Sequence, residues 1–162
     1  MPEIRKAVIN DVPDLLGLVE QYWAFENIAG YNPVRIAASL ERLISHPHLG
    51  GGWIVHVGEK PAGYLLAVYV FSLEHFGLTA EIDEFFVLPE YRARGIGANL
   101  LRTAELTFVL AGCTNASLQL SRGNEAAREF YRRHGYSERS GYELLDKNLD
   151  GVDQPNSESA FQ

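Results

Sequence analysis

The chain has 162 residues, is 46% hydrophobic and 22% charged, and carries a formal net charge of −7. That length fits one domain able to bury a core, no window approaches the apolar run of a membrane span, and the first ten residues lack the apolar stretch of a signal peptide. The acidic balance disfavours nucleic acid as a partner, because phosphate binding needs a basic face, and the single cysteine, Cys113, cannot form an internal disulfide, so a cytoplasmic setting is expected.

Ile4 to Val8 is short, apolar and edged by charge, and reads as a first strand. Asp11 offers an N-cap and Pro13 a first turn, and Leu15, Leu18, Val19, Tyr22 and Trp23 then follow at helical spacing. A second helix is predicted after Asn32, opened by Pro33 and striped by Ile36, Leu40, Leu43 and Ile44. His46 to Gly52 is expected to end it. Trp53 to Val57 and Ala62 to Leu73, separated by Gly58-Glu59-Lys60-Pro61, form a hairpin pattern. Thr79 to Leu88 reads as a strand with acidic residues inside it. A long helix follows the glycines at 95 and 97, with Ile96, Leu100, Leu101, Ala104 and Phe108 on one side, and Cys113 is expected as a small buried hydrophobe near its end. Ala116 to Leu120 is a short strand, Asn124 to His134 a helix stopped by Gly135, and Tyr142 to Leu149 a final strand. The order β-α-α-β-β-β-α-β-α-β predicts one α/β (α+β) domain over residues 1–149 around a mixed sheet. Residues 150–162 turn polar and are expected to be a disordered tail.

Charge is unevenly spread. Between Arg92 and Arg133 seven arginines face three glutamates, so that segment is +4 and the remainder −11. A local basic zone in an acidic chain suits an anionic ligand beside a cationic one. The five histidines show no spacing typical of a zinc site, and no metal is expected.

The most informative stretch runs from Ile82 to Leu101: a strand, then Pro89, then the loop Arg92-Ala93-Arg94-Gly95-Ile96-Gly97-Ala98, then a Leu-rich helix. The first amides of such a helix have no intrahelical acceptor and the helix dipole adds positive charge there, which makes an anion site. A P-loop would need Gly-Lys-Ser/Thr, which is absent. A dinucleotide fingerprint would need a third glycine, where Leu100 stands. The pattern Arg/Gln-x-x-Gly-x-Gly/Ala is filled by Arg92, Gly95 and Gly97, and here the chain resembles the GNAT superfamily of N-acetyltransferases, including the Val87-Leu88-Pro89 lead-in. A second segment, Asn124-Glu125-Ala126-Ala127-Arg128-Glu129-Phe130-Tyr131-Arg132-Arg133-His134-Gly135-Tyr136, is similar to the family's Asn-x-x-Ala-x-x-Phe-Tyr-x-x-x-Gly-Phe/Tyr signature.

The resemblance covers residues 4–149. It implies the GNAT fold: a mixed, mostly antiparallel sheet of six to seven strands flanked by about four helices and splayed between the fourth and fifth strands. It implies acetyl-CoA as cosubstrate and an amine as acceptor, with homodimers a common state. Phe86, Val87, Arg92, Ala93, Arg94, Gly95, Ile96, Gly97, Ala98, Asn124 and Tyr131 would then bind the cofactor. Backbone groups near Phe85 to Val87 would hold the pantetheine amides, and the Val87 amide the carbonyl. Asn124 and Tyr131 would share a helix face while Phe130 and Ala126 turn to the core.

Tyr131, whose ordinary pKa is about 10, keeps its proton at neutral pH and is the candidate general acid. Asp83 and Glu84, with Glu81 in reserve, are candidates to remove the amine proton or bind a cationic acceptor. Alternation along a strand lets both face the cleft only if a bulge intervenes. The acidic lead-in favours a cationic acceptor such as a polyamine, amino acid or aminoglycoside-like amine. Two other readings stay open: a catalytically silent acyl-CoA sensor, and an enzyme acting on a protein N-terminus or lysine.

Overall fold

The structure is a computed structural model, and it describes residues 1–152. Five strands form one sheet in the order β1-β2-β3-β4-β5: β1 Pro2–Lys6, β2 Gly50–Val57, β3 Lys60–Ser72, β4 Gly77–Val87 and β5 Ala116–Leu118. The first four pair antiparallel and β5 joins β4 in parallel. Four helices flank the sheet: α1 Val12–Phe25, α2 Pro33–Ser45, α3 Ile96–Leu110 and α4 Glu125–Arg133. The sheet is thus one strand short of the expected range among the described residues. The missing strand is the one expected over Tyr142 to Leu149: that stretch forms no strand, and Tyr142, Leu144, Leu145 and Leu149 are exposed. Alternating apolar residues suit a strand only where a neighbouring edge receives them. Most of the expected tail, residues 153–162, lies outside the described residues.

The sheet separates two cores. One face packs Trp53, Val55, Leu65, Ala80 and Ile82 against Ile96, Leu100, Leu101, Ala104 and Phe108 of α3. The other packs Ile54, Tyr64, Leu66 and Phe86 against Leu15, Leu18 and Val19 of α1 and Leu40 of α2. Trp53, fully buried, meets Phe108 edge-on at 5.5 Å between ring centres. Each such large apolar side chain contributes on the order of 1.5–3 kcal/mol of burial.

Two local readings of the sequence are corrected. Asp11 stands at the start of α1, yet its carboxylate does not cap that helix: it accepts from both Arg5 Nη atoms at 2.7 and 2.8 Å and from the Val8 amide at 2.7 Å. The glycines at 50–52 do not close α2 but open β2, running beside β3. Gly50 has φ +145°, and a Cβ there would sit 2.0 Å from the Ala67 carbonyl oxygen, so the strand passes only as glycine. Cys113 lies beyond the end of α3, half-buried against the first core, and burial raises its thiol pKa.

Candidate active site

The site is organised by an irregularity in β4. Leu66 pairs with Glu84 and Ala67 with Ile82, so Asp83 is an extra residue with no partner of its own on β3. A bulge of this kind reverses the alternation of side chains beyond it. Before it, Ala80 and Ile82 face α3; after it, Phe86 and Leu88 face α1 and α2. Glu84 therefore joins Asp83 on the α1–α2 side, and both line one pocket of about 410 Å³. This is the condition under which both carboxylates could share the cleft. Glu81, upstream, is not part of that pocket.

The two acids are held differently. Glu84 Oε2 accepts from the Trp23 indole N–H at 2.7 Å, and Oε1 accepts from the Tyr64 hydroxyl at 2.9 Å. Burial raises the Glu84 pKa, the two donors oppose that rise, and neighbouring Asp83 adds to it. Asp83 has no hydrogen-bond partner among the described residues; its edge is open to the pocket, while the surrounding protein removes enough water to raise its pKa. Trp23, expected from the sequence in the core or the acceptor-pocket wall, lines the pocket, while Tyr64 is a residue the sequence did not point to.

The bulge also reverses the backbone. The Ala80 amide donates to Asn115 O at 2.9 Å and the Leu78 carbonyl accepts from Thr114, so even-numbered groups face β5 before Asp83. Beyond it the Leu88 amide donates to Ala62 O at 2.8 Å, and the Phe86 carbonyl faces Gly63 of β3. The backbone groups of Phe85 and Val87 are then left facing the β5 side. There, however, β5 has already ended: its last pairing is Ile82 with Leu118. The sheet splays at this point, as expected, and it presents Phe85 and Val87 to the gap while Phe86 is turned to β3.

The loop after β4 runs into the N-terminus of α3. Ala93 (φ 59°) and Gly95 (φ 76°) are both left-handed, and Gly95 is the N-cap of α3. Such turns gather amides into an anion-binding concavity, completed by the free first-turn amides of Ile96, Gly97 and Ala98. Gly97 is not forced by the protein, since a Cβ there would only touch Phe130 and Phe85 at 3.7 Å. Arg92 turns back: its Nε donates to the Val87 carbonyl at 2.8 Å, and its guanidinium lies 5.2 and 5.3 Å from the ring centres of Phe25 and Phe86. It braces the loop onto the end of β4. Arg94 stacks 5.9 Å from Tyr91.

α4 closes the gap from the other side. It starts at Glu125, with Asn124 as N-cap whose Oδ1 accepts from the Ala127 amide at 3.1 Å. Ala126 is exposed rather than turned to the core, and its neighbour Ala127 is half-buried. Tyr131 packs 6.2 Å from Phe85, 5.4 Å from Phe130 and 5.5 Å from Tyr136 between ring centres. Its hydroxyl has no hydrogen-bond partner among the described residues. Burial pushes its pKa well above the ordinary tyrosine range, and Tyr22 of α1 and Glu26 just beyond that helix push the same way. Tyr22, itself raised to about 12 by burial, and Glu26, which accepts from the Ser121 hydroxyl at 2.9 Å, bring the end of α1 to this gap.

A sheet split beside its fourth strand, with a glycine loop feeding a helix N-terminus there, is the architecture of acetyltransferases of the GNAT class. The profile described as "Acetyltransferase (GNAT) family" matches residues 16–136, and the chain belongs to that family. An uncharacterized N-acetyltransferase of Archaeoglobus fulgidus is 30% identical over 131 residues, covering 80% of this chain and 88% of the relative. The crystal structure of an integron cassette protein from the mobile metagenome of Cole Harbour Salt Marsh superimposes with a TM-score of 0.80 at 29% identity, covering 90% of both chains. Aminoglycoside N-acetyltransferase AAC(6')-Iy in complex with CoA shares the fold, with a TM-score of 0.78 at 18% identity, over 91% of this chain and 94% of that one.

Proposed function

We propose that the chain transfers an acetyl group from acetyl-CoA to the primary amine of a small metabolite, which arrives with that amine as an ammonium ion, by direct attack with both substrates bound. The observation that carries this reading is the Asp83 bulge, which by one inserted residue puts two carboxylates into a pocket and turns the Phe85 and Val87 backbone toward the open gap.

The residues fit acetyl-CoA. The concave turn of Ala93 to Gly95 and the α3 N-terminus would take the pyrophosphate, and the outward backbone of Phe85 the pantetheine arm, the Val87 carbonyl being engaged by Arg92. Asn124, with its Nδ2 left free by the cap, would bind beside them. The acetyl donor supplies an activated carbonyl, and the chain's task is to orient it and move protons around it. The Val87 amide is placed to donate to the carbonyl oxygen as charge gathers there. Tyr131 holds its proton at neutral pH and gives it to the departing sulfur.

On the acceptor side, Glu84 has both oxygens engaged by neutral donors and stays in place as a fixed negative charge. Asp83 has free oxygens, and it takes the proton that an ammonium must lose before attack, directly or through a water. Holding the amine and the carbonyl together accounts for much of the acceleration.

The test is release of free CoA from acetyl-CoA, followed with a panel of amines on the wild type and Tyr131→Phe. Amine-dependent release that falls in Tyr131→Phe is expected. Tight acetyl-CoA binding without turnover of any amine would contradict acetyl transfer to a small amine and leave a sensor or a protein acceptor.

A further inference from the structure

We infer that the acceptor is a zwitterion, carrying an anionic group at the far end of an aliphatic spacer from its amine, and that Arg35 binds that anion. This rests on the reading of the pocket as the acceptor site. The pocket has charge at two places on its wall. Asp83 and Glu84 of β4 form one; Arg35, in the first turn of α2, is the other, and it is the sole Lys or Arg lining this pocket among the described residues. The rest of the lining is mixed: Val19, Leu40 and Leu66 are buried and apolar, and Asn32 and Ser39 are polar.

Arg35 keeps its guanidinium unengaged among the described residues. Its backbone amide donates to Asn32 Oδ1 at 3.1 Å, but its guanidinium has no ion pair or hydrogen bond among the described residues, whereas Arg5, Arg128, Arg132 and Arg139 each meet a carboxylate. It also stands at the N-terminal end of a 13-residue helix, where the dipole adds positive potential. A planar guanidinium there suits a carboxylate or a phosphonate, which it can bind through two parallel hydrogen bonds. A diamine of similar length would set its second ammonium against Arg35. A plain alkylamine would leave Arg35 unused. Both are therefore disfavoured relative to an amine that ends in an anion. The ammonium end docks at Asp83 and Glu84, one residue before Phe85, whose ring meets Tyr131. The polarity of binding is fixed by the wall, with the amine toward the chemistry and the anion toward α2.

The experiment compares kcat/KM, with acetyl-CoA saturating, for four amines of matched chain length: an aminoalkyl carboxylate, an aminoalkylphosphonate, the plain alkylamine and the diamine. It uses the wild type, Arg35→Ala, Arg35→Lys and Arg35→Glu. The wild type should favour one or both zwitterions over the plain amine by roughly 10- to 100-fold, the range of one charge-assisted contact. The carboxylate and phosphonate arms identify which anion is read. Arg35→Ala should erase that preference, Arg35→Lys should restore part of it, and Arg35→Glu should turn it toward the diamine. Arg35 is exposed, so these variants leave the cores untouched. Equal use of all four amines, a wild-type preference for the diamine or plain amine, or a zwitterion preference unmoved in Arg35→Ala overturns the inference and leaves acetyl transfer standing. No turnover of any amine overturns both.

Discussion

The Trp23 indole N–H donates to Glu84 Oε2 at 2.7 Å, across 61 positions of sequence, and it ties α1 to the bulged strand at the edge of the pocket. With Tyr64 on the other oxygen, both carboxylate oxygens of Glu84 are held by donors. Trp23→Phe keeps the aromatic wall but removes that donor. It should raise KM for the amine several-fold and lower stability by about 1–3 kcal/mol, the cost of leaving a half-buried acceptor unpaired. Steady-state kinetics and thermal melting check the two effects. Unchanged values in both would mean the contact holds nothing in place.

Tyr131 is predicted to act through its hydroxyl alone. Because that hydroxyl has no partner among the described residues, Tyr131→Phe should fold as the wild type does. It should lower kcat by about 10²–10⁴-fold, the usual range for loss of a general acid, with little change in KM for acetyl-CoA. Its raised pKa further predicts no alkaline fall in kcat due to this group below about pH 10. A rate profile across pH on both proteins checks this.

Asp83 is predicted to set the acidic limb. Its pKa is raised by burial, so the acceptor of the proton is present only above that raised value, and activity should fall as pH drops through it. Asp83→Asn should lower kcat/KM for the amine by roughly 10²-fold and flatten this limb. Persistence of the same limb in Asp83→Asn would assign it to another group.

Gly95 tests the loop. At φ 76° it adopts a backbone that costs an alanine on the order of 1–2 kcal/mol. Gly95→Ala should therefore disturb the amides at the start of α3 and raise the dissociation constant for CoA at least several-fold. Titration calorimetry with CoA reads it directly.

The Arg5–Asp11 pair tests the fold apart from the site. Arg5 holds the buried Asp11 carboxyl below the usual carboxylate range, aided by the Val8 amide. A depressed folded pKa means the pair stabilises above the unfolded value of about 4 and that this contribution is lost as pH falls through the lower folded value. Asp11→Asn should cost roughly 2 kcal/mol at neutral pH and remove that acid-side dependence. Melting curves from pH 7 downward on both proteins check the sign.

Much of this molecule is legible in its sequence because local rules decide it. Asn32 before Pro33 fixes the start of α2, and Asn32 caps the Arg35 amide as the pattern requires. Gly95 breaks the chain where only a left-handed residue fits. The stripe Ile96, Leu100, Leu101, Ala104 and Phe108 is the buried face of α3. What escapes is set by partners distant in sequence. Gly50 reads as a breaker until β3 is seen pressing against it, and Asp11 reads as a cap until Arg5 claims its oxygens. Tyr142 to Leu149 has a strand's composition, but no strand edge takes it up. The bulge at Asp83 exists because β3 and β4 count different numbers of residues between the same ends, which no short window reveals. Tyr64 reaches Glu84 only through that geometry.

The central claim is acetyl transfer with the amine at Asp83 and the departing sulfur at Tyr131. The most direct measurement is the joint yield of CoA and N-acetylated amine, by liquid chromatography and mass spectrometry, from acetyl-CoA and the best amine of the panel, on the wild type, Asp83→Asn and Tyr131→Phe. The account predicts equal amounts of the two products with the wild type and a large loss of both with either variant, while each variant still binds CoA. Equal product yields from all three proteins, or CoA released without acetylated amine, would contradict it.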